Sequence, residues 1–162
     1  MPIRAGSVWL SFNDFRVAWR NVSDETVAFG GFMRIRTAEE SDVPLVAPLF
    51  NAYREFYGQK SDLDGARNCI NENLALGRST IFVCESDGGL VGFTQLYPAF
   101  CSVEMKPFYV LYDLFVAPSH RTKGVGSGLL NHAHVWAKSQ GAFRVVLETA
   151  HTNTTAQSVY EG

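Results

Sequence analysis

The stretch of chain best equipped for chemistry is Leu111-Tyr112-Asp113-Leu114-Phe115-Val116-Ala117-Pro118-Ser119-His120-Arg121-Thr122-Lys123-Gly124-Val125-Gly126-Ser127-Gly128-Leu129-Leu130. It reads as an apolar strand, a glycine-rich turn and the start of a helix. Glycines let successive backbone N–H groups face outward, and a helix N-terminus adds partial positive charge. Arg121 and Lys123 contribute formal charge, so the turn predicts an anion site suited to a pyrophosphate. A P-loop is excluded because no Gly-Lys-Ser/Thr tripeptide occurs in the chain. A GxGxxG dinucleotide fingerprint is excluded because the position three after Gly126 is Leu129. That fingerprint also opens a βαβ run, whereas this turn comes late.

Other residue types offer weaker chemistry. Asp113 is the one charge in the otherwise apolar run from Phe108 to Val116, and a buried carboxylate needs a partner or a purpose. His120 adjoins the turn, where an exposed loop position is the plainer reading. His132, His134 and His151 lack metal-ligand spacing with acidic or cysteine partners, which leaves helix-surface roles and predicts no metal site. Cys84 and Cys101 have no neighbouring His that would make a thiol acyl relay, so packing is the expectation. Tyr53, Tyr57, Tyr97 and Phe100 are either core aromatics or the lining of an amine pocket through cation–π contacts.

The elements that must position these residues follow from periodicity. Ser7 to Phe12 and Phe15 to Arg20 are two aromatic and β-branched runs around Asn13-Asp14, a predicted β-hairpin. A polar linker ending in Gly30-Gly31 separates this unit, residues 1–32, from a domain spanning 33–162. Met33 to Arg36 is a short strand, with Ser41 or Asp42 as the cap of the helix that follows. Val46, Leu49, Phe50, Tyr53, Phe56 and Tyr57 form one helical face, on which Pro48 should kink the helix or delay its start. A second helix runs from Asp62 to Leu76 with Ile70, Leu74 and Ala75 on one side. Strands Thr80–Glu85 and Leu90–Tyr97 flank Asp87-Gly88-Gly89, and Phe108–Val116 reads as a central strand covered on both faces. The helix after the turn presents Leu129, Leu130, Ala133, Trp136 and Ala137. Phe143–Leu147 is another strand, and Thr154–Glu161 starts a last helix. The fold class is a single-domain α/β (α+β) mixed sheet flanked by helices.

Composition bounds what such a domain does. With 162 residues, 46% of them apolar and 13% aromatic, the chain builds a sizeable core and is not disordered. Fourteen Lys and Arg against sixteen Asp and Glu argue against nucleic acid or an anionic membrane as a partner. No apolar run reaches the roughly eighteen residues of a membrane span, and Val8–Phe12 is too short for a signal-peptide core. Three widely spaced cysteines make no disulfide framework, so a soluble, cytoplasmic protein is expected.

The pattern Arg121-Thr122-Lys123-Gly124-Val125-Gly126, entered through Val116-Ala117-Pro118 and followed by Leu129-Leu130, resembles the acetyl-CoA-binding turn of the GNAT N-acetyltransferase superfamily. Asn153-Thr154-Thr155-Ala156-Gln157-Ser158-Val159-Tyr160 matches its Asn-x-x-Ala-x-x-x-Tyr motif, and the resemblance covers about four fifths of the chain. Gly92-Phe93-Thr94-Gln95-Leu96-Tyr97-Pro98 and Tyr112 to Val116 are similar to its bacterial amine- and histone-type branch. The resemblance implies attack of a primary amine on the acetyl-CoA thioester, the amine belonging to a small molecule or a peptide. It implies that Leu114, Phe115 and Val116 bind the pantetheine arm in a gap between their strand and the next. The pyrophosphate would then meet Arg121, Thr122, Lys123, Gly124, Val125, Gly126 and Ser127, with Asn153 also facing the cofactor. Tyr160 is then the general acid for the leaving thiolate, or else a half-buried tyrosine closing the core. An alkylamine has a pKa of about 10, so a base is needed. Asp113 and Glu148 are the candidates, each with a structural alternative: a bonded carboxylate for Asp113, a surface side chain for Glu148.

Two alternatives stand beside this reading: an acyl-CoA-binding or assembly module with little turnover, and, more remotely, a nucleic-acid binder. The first draws on the ending, since members of the family continue with two further strands beyond the position of Gly162. The hairpin of residues 7–20 is expected to take their place beside Phe143–Leu147, within its own chain or swapped in a homodimer. Otherwise it adds an edge beside Met33–Arg36.

Overall fold

A computed structural model of the protein describes residues 7–11, 33–86 and 88–150, with the backbone alone for 7–11 and 148–150. Six strands form one sheet in the order β1-β6-β5-β4-β3-β2. These are β1 (Ser7–Ser11), β2 (Met33–Thr37), β3 (Thr80–Ser86), β4 (Gly89–Cys101), β5 (Lys106–Val116) and β6 (Val145–Ala150). Three helices complete the described fold: α1 (Val43–Phe56), α2 (Leu63–Ala75) and α3 (Val125–Ser139). β5 and β6 run parallel, joined by α3, and every other pairing is antiparallel.

The helices cover opposite faces. α1 and α2 pack Val43, Val46 and Ile70 against Ile81, Val83, Phe93 and Phe115. α3 sets Val125, Leu129, Ala133 and Ala137, a stripe of four-residue steps, against Phe82, Val91, Leu96, Leu111 and Leu147. Close approach of α3 depends on Gly92 in β4. A Cβ there would stand 2.9 Å from the Phe115 carbonyl oxygen, 3.2 Å from Val125 Cγ1 and 3.3 Å from Leu129 Cδ1.

Several elements differ from expectation for physical reasons. α1 starts at Val43 and runs through Pro48. Pro44 and Pro48 both lie on the exposed side, so the carbonyl that Pro48 leaves without a donor is open to water. Asp42 stands at the α1 cap position without capping it. Its carboxylate instead takes Arg36 at 2.6 and 2.8 Å and the Glu39 N–H at 2.8 Å, and the same guanidinium reaches Glu85 at 2.6 Å. In α2 the buried face is Ala66, Ile70 and Asn73, while Ala75 is exposed. The last strand begins at Val145 rather than Phe143. Phe143 and Arg144 are held in the connection, where the Arg144 guanidinium lies 5.1 Å from the Phe108 ring and 4.8 Å from that of Phe143.

The N-terminal strand resolves between the two edges. β1 pairs antiparallel with β6 of its own chain, from Ser7 opposite Ala150 to Ser11 opposite Val146, and not with β2. The expected partner strand at residues 15–20, the linker and the last helix lie outside the described residues.

Gly92→Ala is expected to destabilise the fold by about 1–3 kcal/mol, the usual cost of forcing an extra methyl into a packed core. Urea unfolding measures this, and an unchanged midpoint would show that α3 can back away from the sheet.

Candidate active site

β5 carries the site because its two neighbours treat its halves differently. Along β6 the pairing comprises Tyr109–Val145, Val110–Val146 and Leu111–Leu147, and stops there. Along β4 the register shifts at the same level: Gln95 faces Asp113 and Leu96 faces Leu111, so Tyr112 is an extra residue. Such a bulge bends its strand and re-aims the residues beyond it. From Tyr112 to Val116, β5 therefore keeps β4 on one side and has parted from β6 on the other. Beyond the bulge Leu114 and Val116 pack on the α3 side and Phe115 on the α1 side.

The turn that follows is held at both ends. The Ala117 N–H donates to the Val91 carbonyl at 2.8 Å, and a short 3-10 turn spans Pro118–His120. Arg121 folds back, donating from Nε to the Val116 carbonyl at 3.0 Å with its guanidinium 5.6 Å from the Phe115 ring. Thr122 has φ +62° and Gly124 φ +80°, left-handed conformations that turn the peptide plane outward. Gly124 then caps α3, where no side chain satisfies the first-turn N–H groups. Arg121, Thr122, Lys123 and Gly124 are exposed, and Gly126 and Ser127 are half-buried. The Val125 side chain is 3% exposed and belongs to the core, so only its backbone faces this site. The arrangement can bind an anion on backbone amides beside an open strand edge.

The second part of the site is a polar network on the α1/α2 face. Asp113 is 9% exposed, and Gln95 Nε2 donates to its Oδ2 at 2.6 Å. Gln95 Oε1 in turn accepts from Ser79 Oγ at 2.9 Å and Asn73 Nδ2 at 3.2 Å. Asn73 also donates to the Tyr97 hydroxyl at 3.0 Å. The Tyr53 hydroxyl donates to the Tyr112 carbonyl at 2.9 Å and hydrogen-bonds the Asp113 carboxyl. Burial raises the Asp113 carboxyl above its ordinary 3.8, against the bonds from Gln95 and Tyr53 that favour the ionised form. Burial, with the Asp113 charge nearby, pushes the Tyr97 hydroxyl up to about 12. Gln95, Asn73 and Ser79 were not singled out by sequence. The available signal was phase: Gln95 alternates with Phe93 and Tyr97 on one face, and Asn73 lies one turn from Ile70.

The remaining candidates divide. Tyr53 and Tyr57 stack edge-on at 5.0 Å and Tyr97 and Tyr112 at 5.6 Å, so these aromatics gather around the network. Phe100 is 64% exposed on the projecting end of the β4–β5 hairpin and is not brought in. Glu148 lies within β6 opposite Trp9, not at a strand end. Asn153, Tyr160 and His151 lie outside the described residues. His132 is not a surface histidine: its ring packs 4.8 Å from Phe82. His134 is half-buried, and burial with Lys138 nearby lowers its pKa. Cys84 is in the core, where burial pushes its thiol up to about 11, unsuited to nucleophilic work. Among the described residues no group of three His, Cys, Asp or Glu side chains gathers at a point suited to a metal. A cavity of about 160 Å³ lined by His134, Lys138 and Arg144 lies at the far end of β6, away from the turn. No described helix is long and apolar enough to cross a membrane.

A mixed sheet whose parallel neighbours part beside a glycine-led helix offers an open strand edge next to a helix N-terminus. Residues 46–161 match the Acetyltransferase (GNAT) family model, and the chain belongs to that family of acyltransferase enzymes. It is 50% identical over 129 residues to the N-acetyltransferase YhfO of Bacillus subtilis (strain 168), covering 80% of this chain and 87% of the relative. The crystal structure of a probable acetyltransferase superposes with TM-score 0.76 at 38% identity, covering 79% of this chain and 86% of the other. The aminoglycoside N-acetyltransferase AAC(6')-Iy, solved in complex with CoA, shares the fold at TM-score 0.69 and 22% identity, covering 83% and 88%.

Asp113→Asn tests what the buried carboxyl does for the fold. The folded-state pKa of Asp113 lies above its unfolded value, so its charge costs stability as pH rises from about 4 through that raised value. The asparagine variant is expected to have a higher Tm than the wild type at pH 8, with the difference shrinking as pH falls toward 4. A wild type that is more stable at pH 8 would make the carboxylate a structural group.

Proposed function

We propose that the protein is an acetyl-CoA-dependent N-acetyltransferase that transfers the acetyl group to a primary amine of a small molecule or peptide. One observation carries this reading: the parting of β5 from β6 after Leu111, ended by the uncapped N-terminus of α3. The freed backbone of Leu114, Phe115 and Val116 would hold a pantetheine arm as a sheet neighbour would. The amides from Arg121 to Ser127, with the Lys123 ammonium and the terminal nitrogens of Arg121, would hold the pyrophosphate. Thr122 and Gly124, in left-handed conformations, would turn those amides toward it. When bound, acetyl-CoA supplies the thioester carbon that the amine attacks.

The chain's own groups then manage charge and protons. A backbone N–H at Phe115 or Val116 would donate to the thioester oxygen as negative charge develops there. The N–C bond forms as the C–S bond breaks. The amine proton goes toward Asp113, through water because the carboxyl is buried, or toward Glu148. Tyr160 would protonate the departing thiolate, and Asn153 would face the cofactor from the same motif. Tyr53 and Tyr97, near the Asp113 carboxyl, with Tyr57 packed on Tyr53, would favour a cationic amine.

Acetyl-CoA binding is read by melting temperature. At about a hundred times its Kd the ligand should stabilise the fold by about 2.7 kcal/mol. Gly124→Val should abolish that rise, because a β-branched residue at φ +80° is strained and would disturb the turn. A retained rise in that variant would overturn the placement of the pyrophosphate.

Turnover is read by CoA release on a panel of primary amines. Tyr160→Phe is expected to lower kcat by about 10²–10⁴ with acetyl-CoA affinity nearly intact, and wild-type turnover would return Tyr160 to a packing role. A wild type that binds CoA yet acetylates no amine would be a binding module.

A further inference from the structure

We propose that Gln95 is a positioning residue for Asp113: its buried side-chain amide, locked by Ser79 and Asn73, orients the carboxylate and sets its affinity for a proton. This rests on the reading of Asp113 as the group that receives the amine proton. Gln95 is fully buried in the middle of β4, a place where an unpaired amide costs stability and an aliphatic residue would pack without that cost. Its bonds leave it one orientation. Ser79 Oγ at 2.9 Å and Asn73 Nδ2 at 3.2 Å both give hydrogens to Oε1. The amide therefore turns Nε2 toward Asp113 and meets Oδ2 at 2.6 Å. Asn73 is itself held, since it also donates to Tyr97 at 3.0 Å.

The groups facing Asp113 come from three elements: Tyr53 on α1, Cys69 on α2, and Gln95 with Tyr97 on β4. The two that hydrogen-bond the carboxyl, Gln95 and Tyr53, are both uncharged. Tyr53 has one hydroxyl hydrogen for two acceptors, Asp113 and the Tyr112 carbonyl at the bulge. While it serves the bulge, Gln95 is the donor left to the carboxylate. An arginine in this place would hold the carboxylate ionised far below neutral pH. A neutral amide favours the anion less, so the group can take up a proton and release it again within a catalytic cycle.

The test uses the full chain labelled with ¹³C at aspartate carboxyls, the Asp113 signal being assigned by its loss in Asp113→Asn. Gln95→Met keeps the volume and removes the donor. The Asp113 titration midpoint is expected to move up by at least one pH unit, a tenfold gain in proton affinity. Ser79→Ala, one bond further out, should move it the same way by less, and it stands in if Gln95→Met fails to fold. Transfer from acetyl-CoA to a primary amine that scores in the panel should show its acid limb displaced with the carboxyl midpoint. Midpoints within about 0.3 unit of wild type in both variants would overturn the role of Gln95. A displaced midpoint together with wild-type acetyl transfer by Asp113→Asn would instead overturn Asp113 as proton acceptor and leave the hydrogen-bond assignment standing.

Discussion

One extra residue in β5 marks where this sheet leaves a strand edge open. From Tyr109 to Leu111 the strand is flanked on both sides, with β4 and β6 as its neighbours. At Tyr112 the register with β4 slips by one, and beyond it the β6 side of the strand is open. Unpaired backbone inside a sheet is costly unless something else takes up its donors and acceptors. The same bulge brings Asp113 onto the α1/α2 face beside Gln95 while Phe115 stays in that core. Open strand edge and buried carboxylate thus meet at a single irregularity. Tyr53 fastens the irregularity from the helix layer by donating to the Tyr112 carbonyl.

The exposed turn before α3 depends on the same core by another route. Arg121 is tied back to Val116 and Phe115, and Val125 is a core residue, so both ends of the exposed loop are fixed. The residues between are exposed and take left-handed conformations at Thr122 and Gly124. Gly92 lets α3 come close enough for this anchoring, because the helix start packs directly on the glycine. A change far from any ligand would therefore reach the turn through the position of α3.

The strand, turn and helix of this site were legible in the sequence because each used a strong local signal. Glycine stands where φ is positive at 124, apolar residues run through β5, and Leu129, Ala133 and Ala137 repeat along α3. The polar network was not legible because its members, Asn73, Ser79, Gln95 and Asp113, belong to separate parts of the chain. Asp113 stands out as the one charge in its apolar strand, but Asn73, Ser79 and Gln95 look ordinary among their own neighbours. Pro48 does not delay the helix start, since α1 begins at Val43 and carries Pro48 on its exposed side. Phe143 misled because it is apolar enough for a strand, yet it stacks on the Arg144 guanidinium before the sheet begins. The place of β1 could not be chosen from sequence, since both sheet edges would accept an apolar strand of that length. Glu148 falls just past the expected strand Phe143–Leu147 but inside β6, which continues to Ala150.

The pairing of β1 with β6 has a bearing on how the molecule is assembled. Strands taken from near the two ends of the described chain lie side by side, separated in sequence by well over a hundred residues. Loop-closure entropy grows slowly with length, so the finished structure bears little extra penalty for this. Folding speed responds differently, because contacts between distant residues form only after the intervening chain has ordered. During synthesis Ser7–Ser11 leaves the ribosome well over a hundred residues before its partner, so this segment must wait unpaired while the rest of the sheet is made. The N-terminal strand is then the closing stitch of the sheet, and the interval before it is tied is the moment when a chaperone or a protease has most to hold.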